Sequence, residues 1–194
     1  MTPWWRRPGR AWCVVAVLLA LGSAAALGVP HAAIDWQPAL AGREPWRTVS
    51  AAFVHYSTLH LIGNAAGLAL VAAYGAVSGV PARLAAAWLV AWPLTQLGLL
   101  AQPDLAHYGG ASGVVHAGVA IVNLHLLVVG PRWVGALVTT GLVAKLLSES
   151  PWGAPLRHFD GFDIPIAPLV HASGALAGTL CFLVSEAVAR RRRS

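Results

Sequence analysis

Six long apolar runs divide the chain, at about residues 11–29, 58–77, 82–101, 112–130, 132–148 and 168–189. The breaks between them carry proline, glycine and charge: Pro30, Ser78-Gly79-Val80-Pro81, Gln102-Pro103-Asp104, Gly130-Pro131 and the stretch 149–167. Most runs approach the ~20 residues that a helix, rising ~1.5 Å per residue, needs to cross ~30 Å of hydrocarbon. Backbone groups find no water at that depth, and an open strand edge would leave them unpaired, so the pattern predicts helix in every run. Pro93 falls inside the third run and predicts a kink there. The expected fold is a single all-α, polytopic membrane domain over residues 1–194: a bundle of six transmembrane helices with an outer loop at 149–167. The first run has a rival reading. Arg6, Arg7 and Arg10 precede AWCVVAVLLALG and the small residues Ser23-Ala24-Ala25, in the manner of a cleaved secretory signal. Retention is the expectation, because six helices close a bundle better than five.

Composition agrees with a membrane class. Hydrophobic types make up 57% of the 194 residues and charged types only 10%, against about 25% charged in a soluble domain. The formal net charge of +6 does not point to nucleic acid, since no basic stripe is interleaved with aromatics along the middle of the chain. Instead the charge fixes orientation. With both termini inside, the cytoplasmic side holds Arg6, Arg7, Arg10, Arg83, Arg132 and Arg190 to Arg193. The outer side holds Arg43, Arg47 and Arg157, with Asp35, Glu44, Asp104, Glu149, Asp160 and Asp163. Nine basic residues inside against three outside predict cytoplasmic termini. Trp4, Trp5, Trp12, Trp36, Trp133 and Trp152 fall near the expected interfaces. Cys13 and Cys181 lie in apolar runs without ligand spacing and read as packing residues.

Polar groups inside spans are expensive, so their positions carry information. Three even-numbered spans hold them: His60 and Asn64 in the second, Ser112 and His116 in the fourth, His171 and Ser173 in the sixth. Counting to the cytoplasmic end of each span gives about 21, 27 and 28 Å from Asn64, Ser112 and His171. These groups therefore share a layer in the outer half of the membrane. Each has a bland reading: Ser112 as small-residue packing between Gly110 and Gly113, Asn64 as interhelical glue, His171 as a satisfied buried histidine. Together they are the parts of an acyl-transfer site, namely nucleophile, base and oxyanion donor. Gly109 and Gly110 permit the backbone turn that sets Ser112 at a helix start, where free N–H groups favour a developing anion. No Asp or Glu lies within the core of the spans, so a Ser–His dyad is expected rather than a full triad. His116, one turn after Ser112, and His171, on another helix, are both candidates for the base, and spacing leaves the choice open.

These residues resemble the rhomboid family of intramembrane serine proteases. Glu44-Pro45-Trp46-Arg47 looks like the family's Trp-Arg element in the first outer loop. The stretch from Phe53 to Asn64, including His55, resembles the second-helix signature with its His-x-x-x-Asn spacing. Gly110-Ala111-Ser112-Gly113 matches the Gly-x-Ser-Gly nucleophile motif, and His171-Ala172-Ser173-Gly174 with Gly178 matches the last-helix histidine and its packing face. The resemblance implies that Ser112 attacks the scissile carbonyl and His171 takes its proton. His60, Asn64 and the Ser112 N–H would bind the oxyanion. Gly174 and Gly178 would let the last helix approach the fourth span, and the loop 149–167, with Trp152, Phe159 and Phe162, would gate substrate and water. Many rhomboids carry a tyrosine where this chain has His116, as a stacking support for the histidine. Gly-Ala-Ser-Gly-Val-Val-His in a compact chain looks like the rhombosortase branch. That implies a bacterial inner-membrane enzyme, open to the periplasm, acting on exported proteins that end in a Gly-Gly-bearing tail, one apolar helix and a basic cluster. No cofactor or metal is implied. Two rival classes are a catalytically silent rhomboid-like binder of membrane clients and a metal or proton transporter using His55, His60, His116 and His171.

Overall fold

The computed structural model describes residues 7–192; Trp4, Trp5, Arg6 and Arg193 lie outside the described residues. The elements are α1 (Arg10–Ala25), α2 (His31–Ile34), α3 (Arg47–Ser50), α4 (Thr58–Val77), α5 (Ala82–Leu97), α6 (Ser112–Val129), α7 (Arg132–Glu149) and α8 (Pro168–Arg191). Short 3₁₀ turns occupy Pro38–Leu40, Ala51–Phe53 and Gly98–Ala101. No strand forms among the described residues, which hold two isolated bridges, Trp36 to Tyr108 and Arg157 to Ile166.

All six apolar runs are helical. Four of them, α4, α5 with its 3₁₀ extension, α6 and α8, are long and apolar enough to cross a membrane. The α1 helix is shorter, at 16 residues, and α7 carries Arg132, Lys145 and Glu149. The exterior is apolar, as a lipid solvent allows: Leu70, Val77, Leu137, Leu180 and Val184 are all exposed. The α5 helix runs on through Pro93. Pro168 opens α8, where its missing N–H has no intrahelical partner to lose.

The bundle is organised around α6, whose most extensive packing is against α8. A β-carbon at Gly174 would run into the Gly113 carbonyl, and one at Gly178 into the Ala117 carbonyl. Small residues on this face therefore let the two backbones touch. Ser173 Oγ donates to the Thr95 carbonyl at 2.8 Å, tying α8 to α5. Trp88 Nε1 donates to the Val114 carbonyl at 2.7 Å, tying α5 to α6. Trp12 stacks on Trp88 at 4.2 Å and donates to the Val71 carbonyl at 2.8 Å, which docks α1 against α4 and α5.

The segment between α1 and α4 is held by a buried ion pair. Arg47 donates to the Asp35 and Ala32 carbonyls at 2.8 and 3.0 Å and to Glu44 at 2.5 Å. Asp35 accepts in turn from Tyr56 Oη at 3.1 Å and pairs with His107 Nδ1 at 2.8 Å. Paired backbone bonds between Trp36 and Tyr108, at 2.7 and 2.9 Å, fasten this segment to the chain entering α6.

Candidate active site

Three helix beginnings converge on one cavity of about 520 Å³. Each is built by local chemistry. Ser57 caps α4 by accepting the His60 N–H at 3.0 Å, which fixes the first turn that carries His60. Gly110 has φ +133°, a conformation closed to side-chain-bearing residues, and its N–H donates to the Ala51 carbonyl at 2.9 Å. That turn sets Ser112 as the first residue of α6, where its backbone N–H has no intrahelical acceptor. The contact between α6 and α8 then brings His171 beside it.

Ser112 Oγ lies 3.0 Å from His171 Nε2. His116 is oriented differently: its Nδ1 donates to the Ser112 carbonyl at 2.7 Å, so it does not address the hydroxyl through that nitrogen. Its ring stacks on His171, with centroids 4.3 Å apart and planes 17° from parallel. His60 Nδ1 accepts the Tyr56 N–H at 3.3 Å, which places the ring's own N–H on Nε2 in the neutral imidazole. That atom faces Gly110, where a β-carbon would lie only 2.7 Å away. Asn64 spends one amide hydrogen on the His60 carbonyl at 3.0 Å; the other is free to donate. Tyr108 Oη donates to the Gly110 carbonyl at 2.9 Å, and burial pushes its phenol up to about 12, so it remains a donor.

The remaining sequence candidates are placed as follows. His55 packs edge-on to His60 at 4.9 Å and donates to the Phe53 carbonyl at 3.1 Å. Burial holds its imidazole below the ordinary range. Arg47 anchors the outer loop, while Trp46 is 54% exposed and does not line the cavity. Of the three expected gate residues, Phe162 lines the cavity. Trp152 does not: it follows the end of α7 in a short turn and is 72% exposed. Phe159 lies under the Arg157 guanidinium at 5.2 Å instead. Leu156, Ile164, Pro165 and Ile166 take the apolar positions of the loop wall.

The expectation that no carboxylate reaches the histidine is overturned. Glu149 Oε2 lies 2.7 Å from His171 Nδ1. Read as an outer-loop charge, Glu149 is instead the last residue of α7, with a side chain only 10% exposed. Lys145, one turn earlier, pairs with Glu149 Oε1 at 2.6 Å and comes within 3.3 Å of His171 Nδ1. The sequence signal was the Lys-x-x-x-Glu spacing at the end of an otherwise apolar run, which sets both charges on one helix face.

An all-α membrane bundle thus encloses a serine, four histidines and an ion pair under one loop. The Rhomboid domain model matches residues 42–185, and the chain belongs to the rhomboid family. Its members are multi-pass membrane proteins of the intramembrane serine protease class, acting on membrane proteins within the bilayer. The match takes in α3 through most of α8 and leaves α1 outside it. No curated protein and no solved structure matches the chain significantly.

Proposed function

We propose that the protein is an active intramembrane serine protease that cleaves single-span substrates, and that it belongs to the rhombosortase branch. The observation that carries the reading is the 3.0 Å contact between Ser112 Oγ and His171 Nε2, a distance at which a hydroxyl proton passes directly to a base. As Ser112 Oγ bonds to the scissile carbonyl carbon, its proton moves to Nε2. The carbonyl oxygen becomes an oxyanion, met by His60 Nε2–H, the free Asn64 amide hydrogen and the Ser112 N–H. Imidazolium then protonates the departing amine as the C–N bond breaks. A water, deprotonated by the same nitrogen, opens the acyl-enzyme and returns the hydroxyl.

The branch assignment is supported by His116, which stacks on His171 where many rhomboids use a tyrosine. The substrate is then an exported protein ending in a Gly-Gly-bearing segment, one apolar helix and a basic cluster. The enzyme sits in a bacterial inner membrane with both termini cytoplasmic and the cavity open to the periplasm.

The test is co-expression with such a substrate and mass spectrometry of the new C-terminus. Ser112→Ala abolishes the cleaved product while the protein still accumulates in the membrane; undiminished cleavage by that variant overturns the proposal.

A further inference from the structure

We infer that Glu149 is a positioning residue that holds His171 in the tautomer a general base requires, with Lys145 holding the carboxylate; this rests on the protease reading above. A carboxylate only accepts hydrogen bonds, so the 2.7 Å contact from Glu149 Oε2 requires a hydrogen on His171 Nδ1. A neutral imidazole has one N–H. The lone pair therefore sits on Nε2, facing the Ser112 hydroxyl at 3.0 Å. The other tautomer would set a lone pair against a carboxylate at 2.7 Å, with both side chains no more than 10% exposed.

Lys145 does not replace this function. Its ammonium lies 3.3 Å from Nδ1, but its much shorter bond, 2.6 Å, goes to the other oxygen, Oε1, and the carboxylate at 2.7 Å is the nearer partner of Nδ1. The imidazole is thus fixed along its edge by Glu149 and across its face by His116. When Nε2 receives the serine proton, the carboxylate stabilises the imidazolium.

The backbone is shaped to the same end. Directly after Glu149, Ser150 has φ +52°, the one non-glycine with positive φ among the described residues. Such strain persists where surrounding contacts over-determine it. Ser150 N–H donates to the Leu147 carbonyl at 3.1 Å. Arg157 Nη1 donates to the Glu149 carbonyl at 2.7 Å, and the Arg157 backbone is itself paired both ways with Ile166 at 2.8 Å. The loop over the cavity therefore clamps the residue whose side chain reaches the base.

The test uses the full-length protein in phospholipid vesicles, with two readouts: steady-state cleavage of a single-span substrate and the rate of Ser112 labelling by an alkyl fluorophosphonate. Glu149→Gln lowers kcat by between about 10²- and 10⁴-fold with KM within about two-fold, and slows labelling in parallel. Glu149→Asp recovers part of the loss. Should Glu149→Gln not accumulate, ¹⁵N-histidine NMR of the wild type decides, since the inference requires the Nδ1–H tautomer at His171 and the Nε2–H tautomer overturns it. Wild-type kcat in Glu149→Gln beside an inactive Ser112→Ala overturns the inference and leaves the protease reading intact. Full cleavage by Ser112→Ala overturns the protease reading itself.

Discussion

Two histidines lie within reach of Ser112, and their nitrogens assign them different work. His116 sits four residues on along α6, and that spacing alone makes it a plausible base. Its Nδ1, however, is taken by the Ser112 carbonyl, and its ring covers His171. His171 presents Nε2 to the hydroxyl. Replacing each with alanine separates the roles. His171→Ala loses the proton acceptor and reduces cleavage to background. His116→Ala loses a stack and a hydrogen bond and retains partial activity, with a loss nearer to tenfold than to the 10²–10⁴ of general acid–base catalysis. Substrate turnover by the two variants checks this, and the reverse order would make His116 the base. That Ser112, His116, His171, His60 and Asn64 gather at one cavity was legible in the sequence, because so few polar residues interrupt those apolar runs and they fall at matching depth. Glu149 was not, because a carboxylate at the end of a span reads as an interfacial charge. Its aim depends on the left-handed Ser150 and on a neighbour, α8, that local sequence does not place.

At the scale of elements, the distance between Ser112 and His171 depends on how closely α8 approaches α6. Gly174 has no room for a single carbon before the Gly113 carbonyl. Gly174→Ala must push the helices apart, and His171 rides on the same turn. Overpacking of this kind costs about 1–3 kcal/mol, and a displacement of ~1 Å at a catalytic group costs about 10²-fold in rate. The expected outcome is a lowered Tm together with a fall in kcat. Unchanged values of both would show that the two backbones do not meet as described. The apolar runs announced the helices, since a span can satisfy its backbone in hardly any other way. The short helices and turns between residues 30 and 53 were not announced. Their shape follows from Asp35 and Arg47, which bond to partners far along the chain, including Tyr56 and His107. The loop 149–167 does wall the cavity, through Phe162 among others, but which of its aromatics face inward was not legible. The resemblance implied Trp152 as a gate residue, yet the turn after α7 leaves it exposed and outside the cavity lining.

For the whole molecule, the proposed activity needs the orientation that the charge distribution predicts. The arginines at the two ends, with Arg83 and Arg132, outnumber those on the cavity side, and in the proposed arrangement, with the positive side cytoplasmic, the cavity would open to the periplasm. In a background lacking Cys13 and Cys181, Ala154→Cys should react with a membrane-impermeant maleimide added outside intact cells. Ser78→Cys should react only after the membrane is breached. The opposite pattern would invert the molecule and leave exported tails out of reach.

The ion pair beside the base has a further consequence for a site sunk in lipid. At rest, one ammonium, one carboxylate and a neutral imidazole sum to zero. After proton transfer, an imidazolium and an oxyanion are added together, and the sum is again zero. A net charge at membrane depth is costly, and along this reaction the enclosed groups never acquire one. The low dielectric that would penalise an isolated Glu149 then only strengthens attraction between opposite charges, and the reacting centre needs no bulk water to hold its charges together.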